Sequence, residues 1–208
     1  MTAATARPQE APGIHPLLAR RWSPHAFDPL HTVTEGDVER LLEAARWAPS
    51  AGNSQPWSFV AARRGEPDHQ RLVRHLAGSA ARWAPSASLL ILNLAHRLVD
   101  DSELEYSEFA LYDLGQAVAH LTVQASAMDL AVRQLRAFDR AALATEFGVG
   151  PGWLVTTMAA VGVPARAGAH ADAHTGRRPL SDLRWATGPA SVPPASTAGH
   201  PHPEKEDR

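Results

Sequence analysis

From Ala87 to Ala95 the chain reads ASLLILNLA, apolar but for one serine and one asparagine. Apolar residues at consecutive positions leave no polar face at either the strand or the helix period, and the run has strand length, so it predicts a strand buried on both sides. Such a strand belongs in the interior of a sheet. Leu154 to Val163 reads as another interior strand, Trp57 opens the strand-like WSFVAA, and Ala131 to Ala137 is a further candidate.

Helical periodicity fills the intervals. Thr34 and Asp37 make a cap-like pair, and Val38, Leu41, Leu42 and Ala45 then recur at helical spacing, so a helix runs into Pro49. PDHQRLVRHLA starts at Pro67, a favoured first position for proline, with Leu72, Val73 and Leu76 on one face. From Ser102 to about Leu130 no proline occurs, and Leu104, Leu111, Leu114, Val118, Leu121, Ala125 and Met128 repeat at helical steps. That predicts a long helix with Gly115 as its weak point, serving as core or as a contact between copies. Shorter helices are expected over Leu17 to Trp22 and from Asp139, whereas Arg82 to Pro85 reads as a loop. With 208 residues and 44% apolar content the chain suits one domain, over residues 17–185. The arms at 1–16 and 186–208 are rich in Ala, Pro, Ser and Gly and are expected to be disordered.

Several classes of function are disfavoured. The chain has no cysteine, so disulfides, thiolate metal sites and cysteine nucleophiles are absent, and redox chemistry would need a cofactor. A net charge of -2 gives no basic field for nucleic acid or an anionic membrane. The first residues lack an apolar run of signal-peptide length and LLILNLA is too short to span a bilayer, so a cytoplasmic location is expected. GVGPGW, from Gly148, fails as a dinucleotide fingerprint because Trp153 stands where a third glycine belongs. His170 and His174 have a spacing that could bind metal on a helix, but glycines bracket them and no confident third ligand exists, so no metal site is expected. No GxSxG, P-loop or zinc-protease motif occurs, and Glu103, Glu105 and Glu108 read as a solvated helix face.

Trp47 to Trp57, WAPSAGNSQPW, stands out because the helical period stops there and amide and hydroxyl side chains crowd between two prolines. A polar connector could have this composition. A loop stiffened by Pro49 and Pro56 and flanked by tryptophans also loses little entropy when it presents hydrogen-bonding groups to a planar, polar ligand.

This stretch resembles the PSxxNSQPW signature of the FMN-dependent nitroreductase family, and the resemblance continues through most of Leu17 to Leu183. RRWSPHAFDP at Arg20, YDLGQAVAHL in the long helix, QLRAFD at Gln134, TTMAAVGVP before Ala165 and RRPL at Arg177 follow in the family's order. The resemblance implies an α+β fold with a central mixed, mostly antiparallel sheet flanked by helices, in an intertwined homodimer. It also implies bound FMN, with NAD(P)H as co-substrate and a nitroaromatic, quinone or similar acceptor. Arg21 and Ser23, in the segment with Trp22 and His25, match the residues that hold the FMN phosphate, and Arg177 and Arg178 match a basic motif that closes on it. Arginine suits that task through bidentate, charge-assisted hydrogen bonds, although two arginines at a helix end can also merely offset its dipole. Pro49, Ser50, Ala51 and Asn53 are implied to reach the flavin of the other subunit. Leu135, Arg136 and Ala137 match the turn whose backbone N–H groups face the flavin's hydride-accepting nitrogen.

The chain departs from its relatives at four places. His25 stands where Lys or Arg is frequent, Arg136 where an acidic or small residue is usual, Ala137 where Gly is common, and Arg82 to Pro85 shows no match to the polar flavin contacts that some relatives make before the apolar strand. Arg136, Ala137 and the missing loop contact keep a second reading open, a protein of the same fold that stores FMN or senses redox state without turnover. Flavin-dependent oxidation or dehalogenation ranks lower, because the lid insertion usual in those subfamilies is not found.

Overall fold

The structure is a computed structural model describing residues 13–98, 109–165 and 177–185. Residues 1–12 of the arm expected at 1–16, residues 102–108 of the long helix, His170, His174 and the tail from 186 lie outside the described residues. The chain divides into two compact units, residues 1–173 and 174–208. In the second, the described residues form a 3-10 turn at Leu180–Leu183 flanked by irregular chain.

The first unit is built on a four-stranded sheet of β1 (Trp57–Arg63), β2 (Leu89–His96), β3 (Ala131–Leu135) and β4 (Trp153–Gly162), in the order β1-β2-β4-β3. All three pairings are antiparallel, so among the described residues the sheet is not mixed. Leu89 to Ala95 of β2 are buried, as a strand between two covered faces must be. Leu90, Leu92 and Leu94 enter one core, with Leu72 of α3 (Pro67–Arg74), Ala80 of α4 (Ala80–Trp83) and Leu143 of α6 (Arg140–Glu146). Leu89 and Ile91 enter the other, with Val38, Leu41 and Ala45 of α2 (Glu35–Arg46) and Ala117, Leu121 and Ala125 of α5 (Phe109–Ala127). Each fully buried leucine contributes about 1.5–3 kcal/mol from area removed from water, so the layers hold chiefly through these two interfaces.

Local signals fix the helix ends. The Thr34 hydroxyl accepts the Asp37 amide at 3.2 Å while the Asp37 carboxylate accepts the Thr34 amide at 2.8 Å, a reciprocal cap that starts α2. Asp139 caps α6 by accepting from the Ala142 amide at 3.0 Å. The first helix, α1 (Pro16–Arg20), is a single turn capped by His15. The expected loop before β2 is instead helical, with α4 continuing into a 3-10 turn at Ala84–Ser86. Burial explains the difference, because Ala80, Ala84 and Ala87 pack into the core beneath β2 and small side chains let that turn lie close.

Gly162 shows how tightly the N-terminal segment is held. A Cβ there would meet the Ser88 amide nitrogen at 3.1 Å and Phe27 Cδ1 at 3.2 Å. Phe27 pairs with Pro164 across that point, and Asp28 N–H donates to Val163 O at 2.8 Å, so residues after Arg21 are stitched to the end of β4.

Candidate functional site

Four segments carry the residues that the sequence singles out, and three of them lie in the first unit. Arg20 and Arg21 follow α1. Arg20 Nη2 donates to Ser126 O at 2.8 Å, using the carbonyl end of α5, and Arg21 Nη1 donates to Ser23 Oγ at 3.4 Å. Arg20, Arg21, Trp22, Ser126, Asp129 and Pro164 are among the residues that line a cavity of about 270 Å³, whose floor includes Ala131 at the start of β3. Beyond it Pro24 is buried, while Ser23 and His25 are exposed on either side.

Arg133, half-buried in the middle of β3, ties this segment down. Its Nη1 donates to Pro24 O at 3.1 Å and approaches His25 Nδ1 at 3.2 Å, and its guanidinium lies 4.3 Å over the Trp83 ring. Sequence reasoning gave Arg133 no role. The available signal was a guanidinium inside an otherwise apolar strand start, Ala-Val-Arg, which needs a polar destination.

The loop between α2 and β1 departs most from regular backbone. Gly52, Asn53 and Gln55 have φ of 59°, 57° and 47°, a left-handed conformation that costs non-glycine residues energy and concentrates at functional sites. Ser50 organises it: its carbonyl accepts the Asn53 amide at 3.0 Å and its hydroxyl accepts the Gln55 amide at 3.0 Å. The Asn53 side-chain amide has no partner among the described residues. An unforeseen pair on α5 holds the loop from below. Asp113, only 2% exposed, accepts the Ala51 amide at 2.9 Å through Oδ2 and Gln116 Nε2 at 3.2 Å through Oδ1. Gln116 Nε2 also reaches Pro49 O at 3.5 Å. A carboxylate within the apolar period of the helix was the sign of such a role. On the α2 side, Trp47 is exposed yet fixed, because its Nε1–H donates to Glu43 at 2.8 Å. The Arg46 guanidinium, with help from that indole, holds the Glu43 carboxyl down at about 2.

Leu135 ends β3, and the chain turns through Arg136 and Ala137, both exposed. Ala137 O accepts from the Ala77 amide at 2.9 Å, and Phe138 N–H returns to Arg136 O at 3.1 Å. The Ala137 amide donates to nothing among the described residues, and Ala137 is not left-handed, so the turn accommodates a side chain where relatives carry Gly.

These pieces are set on the two edges of the sheet. The arginine cavity lies at the start of β3 and the free Ala137 amide just past its end, about 15–20 Å apart by strand rise. The signature loop precedes β1, the opposite edge, three strand spacings or about 14 Å away. Within one chain Arg21, Ser23, His25, Leu135, Arg136 and Ala137 therefore share the β3 edge, and Pro49, Ser50, Ala51 and Asn53 do not join them. Arg177 and Arg178 are exposed residues of the second unit. Among the described residues no group of three or more His, Asp or Glu is placed to hold a metal, and no helix is long and apolar enough to cross a membrane.

Comparison with known proteins bears on this arrangement. Residues 18–90 match the model of the nitroreductase family. The oxygen-insensitive NAD(P)H nitroreductase of Salmonella typhimurium is 32% identical over 92 residues, covering 43% of this chain and 42% of that protein. The chain thus aligns with less than half the length of that curated relative. Similarity of structure extends further. An oxidoreductase containing FMN superposes with a TM-score of 0.79 at 27% identity, over 91% of this chain and 99% of its own. A nitroreductase family protein from Streptococcus pneumoniae superposes at 0.69 with 18% identity, over 82% and 98%. With the signature loop, the β3 edge and the sheet order in place, the chain is similar to the nitroreductase family over residues 18–90 and shares the fold of these solved structures.

Proposed function

We propose that this protein is an FMN-dependent NAD(P)H oxidoreductase acting on nitroaromatic, quinone or similar acceptors. The observation that carries the reading is the β3 edge, with an arginine-lined cavity at one end and an unspent backbone amide at the other. That spacing suits a ligand with a phosphate joined by an extended chain to a flat ring. Arg21 and Ser23, with Trp22 and His25 beside them, would hold the phosphate end. Leu135, Arg136 and Ala137 would border the ring, and a backbone donor suits that position because it stabilises developing negative charge without titrating. FMN, when bound, supplies the hydride-accepting and hydride-donating centre. The curated relative's name and the FMN-containing neighbour support the same class.

The edge-to-edge separation makes a homodimer part of the proposal. One chain leaves its signature loop about 14 Å from its own β3 edge, so Pro49, Ser50, Ala51 and Asn53 serve the β3 edge of a second copy. Exposed Trp47, Phe109, Leu111 and Tyr112, on α2's end and the first turns of α5, offer apolar surface for that contact. A cytoplasmic location goes with the proposal.

If one ring face stays open between these walls, both substrates must use it in turn, and hydride transfer needs reacting atoms only about 3–3.5 Å apart. Parallel double-reciprocal plots are expected; intersecting lines would refute the shared face. Purified protein should be yellow and release FMN on denaturation, whereas release of FAD would overturn the phosphate assignment. NADPH oxidation stimulated by a quinone separates the enzyme from a protein that only stores flavin. Sizing at low concentration should show that flavin travels with dimer alone.

A further inference from the structure

We propose that Arg133 is a positioning residue that locks His25 in one tautomer, so that His25 presents a neutral Nε2–H donor, backed by a fixed guanidinium, to the ligand bound along β3. The geometry is specific. Arg133 Nη1 lies 3.2 Å from His25 Nδ1 and 3.1 Å from Pro24 O. A guanidinium has five N–H donors and no acceptor, so Nδ1 must be the accepting nitrogen of this pair, and the ring proton then resides on Nε2. Nε2 has no hydrogen-bond partner among the described residues, and His25 is exposed.

Arg133 is well placed to enforce this. Its guanidinium lies over the ring of Trp83, a residue that also packs beside Phe27, so the cation is held by an aromatic face and by its hydrogen bond to the Pro24 carbonyl. Stacked and bonded in this way, the side chain has little freedom to leave His25. Arg21 lies in the same segment as His25, and no carboxylate forms an ion pair with Arg133 among the described residues. A histidine here with Lys or Arg in relatives therefore does not leave the position without positive charge. The charge is supplied one shell back, from the strand, and is relayed through an imidazole that donates one directed hydrogen bond.

The inference rests on the FMN reading only for the identity of the ligand. Its test has two arms that fail separately. In the first, full-length ligand-free protein carrying ¹⁵N-labelled histidine is studied by NMR in mildly alkaline buffer, with the His25→Gln variant identifying the His25 signals. Wild type should show Nδ1 unprotonated and Nε2 protonated. Arg133→Met, which keeps an unbranched stem against Trp83, should shift His25 towards a mixture of tautomers, and Arg133→Lys should restore the wild-type pattern at least in part. An Nδ1–H tautomer in wild type, or an unchanged pattern in Arg133→Met, overturns the proposal. In the second arm FMN is titrated into the same proteins. Arg133→Met and His25→Gln should each weaken binding about tenfold, and the double variant should be no weaker than about the worse single one, because the two act as one unit. Additive losses, or unchanged affinity in both, would overturn the coupling to ligand. If wild type fails to bind FMN at all, the proposed function fails while the tautomer result still stands or falls on its own.

Discussion

Truncating Asp113 should separate the stability of the fold from the shape of the signature loop. The carboxylate is 2% exposed, accepts the Ala51 amide at 2.9 Å and Gln116 at 3.2 Å, and has no cation among its partners in the described residues. A hydrogen bond to a charged group contributes about 1.5–3 kcal/mol net, while burying the charge itself opposes folding. Asp113→Ala loses the acceptor for Ala51, leaves a small void and also removes the buried charge, for a net cost of about 2 kcal/mol. Asp113→Asn keeps an oxygen for the Ala51 amide and relieves the charge, so it should stay within about 1 kcal/mol of wild type. For a domain of this size 1 kcal/mol moves Tm by about 2–4 °C, which places Asp113→Ala about 4–8 °C below wild type at matched protein concentration. Calorimetry measures the shift, and flavin retention after gel filtration reads the loop. The reasoning is refuted if Asp113→Ala and Asp113→Asn melt together, or if Asp113→Ala keeps full flavin.

Three further outcomes can be checked with the same instruments. Thr34→Ala removes one half of the α2 cap and should cost about 1 kcal/mol, seen as a fall in Tm of a few degrees without loss of flavin. Leu121→Ala, at a fully buried site between α5 and the sheet, should cost about 2–5 kcal/mol, and a shift under 2 °C would contradict the packing. Acid should destabilise the protein in two stages. Burial, aided by the nearby Arg64 charge, pushes His69 below its ordinary 6.5, so the unfolded chain binds the extra proton and stability falls as pH drops through 6.5. Glu146, held below 4.5 mainly by Arg71, and Glu66, held down by the Arg63 amide and side chain, add their loss only below about pH 4.5. Tm measured from pH 7 down to about 3 should show both limbs, and His69→Gln should flatten the upper one.

How much of this could be read from residue order differs by element. β2 was legible because its burial leaves no polar face, and α2 because Thr34 and Asp37 mark its first turn as they do in the structure. The short turn at α4 was not, since Arg82, Trp83, Ala84 and Pro85 carry no periodic signal and are helical only because Ala80 and Ala84 are pressed into the core by elements distant in sequence. The site divides in the same way. Arg21, Ser23, the signature loop and the turn at Ala137 could be located from local motifs. Asp113, Gln116 and Arg133 could not be given roles, because what they hold lies 62, 67 and 109 residues away. Contacts of that separation are made by the strand order, and no local pattern encodes it.

The loop's strain and its anchors explain each other. Asn53 and Gln55 sit at φ of 57° and 47°, and each left-handed non-glycine residue costs about 1–3 kcal/mol. An unrestrained loop would relax towards φ below zero. This one is bounded by Pro49 and Pro56, pinned at Ala51 by a buried carboxylate and cross-braced by Ser50, so relaxation would break hydrogen bonds on both sides of the strained residues. Among the described residues the restraints come from α5 and from Ser50 within the loop itself. Asn53 is exposed, and its side-chain amide has no partner among the described residues. A loop made rigid from within and left unsatisfied on its outer side is suited to act on something its own β3 edge cannot bring to it. In the proposed homodimer a second copy would supply that partner surface, and strain would serve preorganisation: the donors would stand in place before ligand arrives, so little ordering entropy would oppose binding.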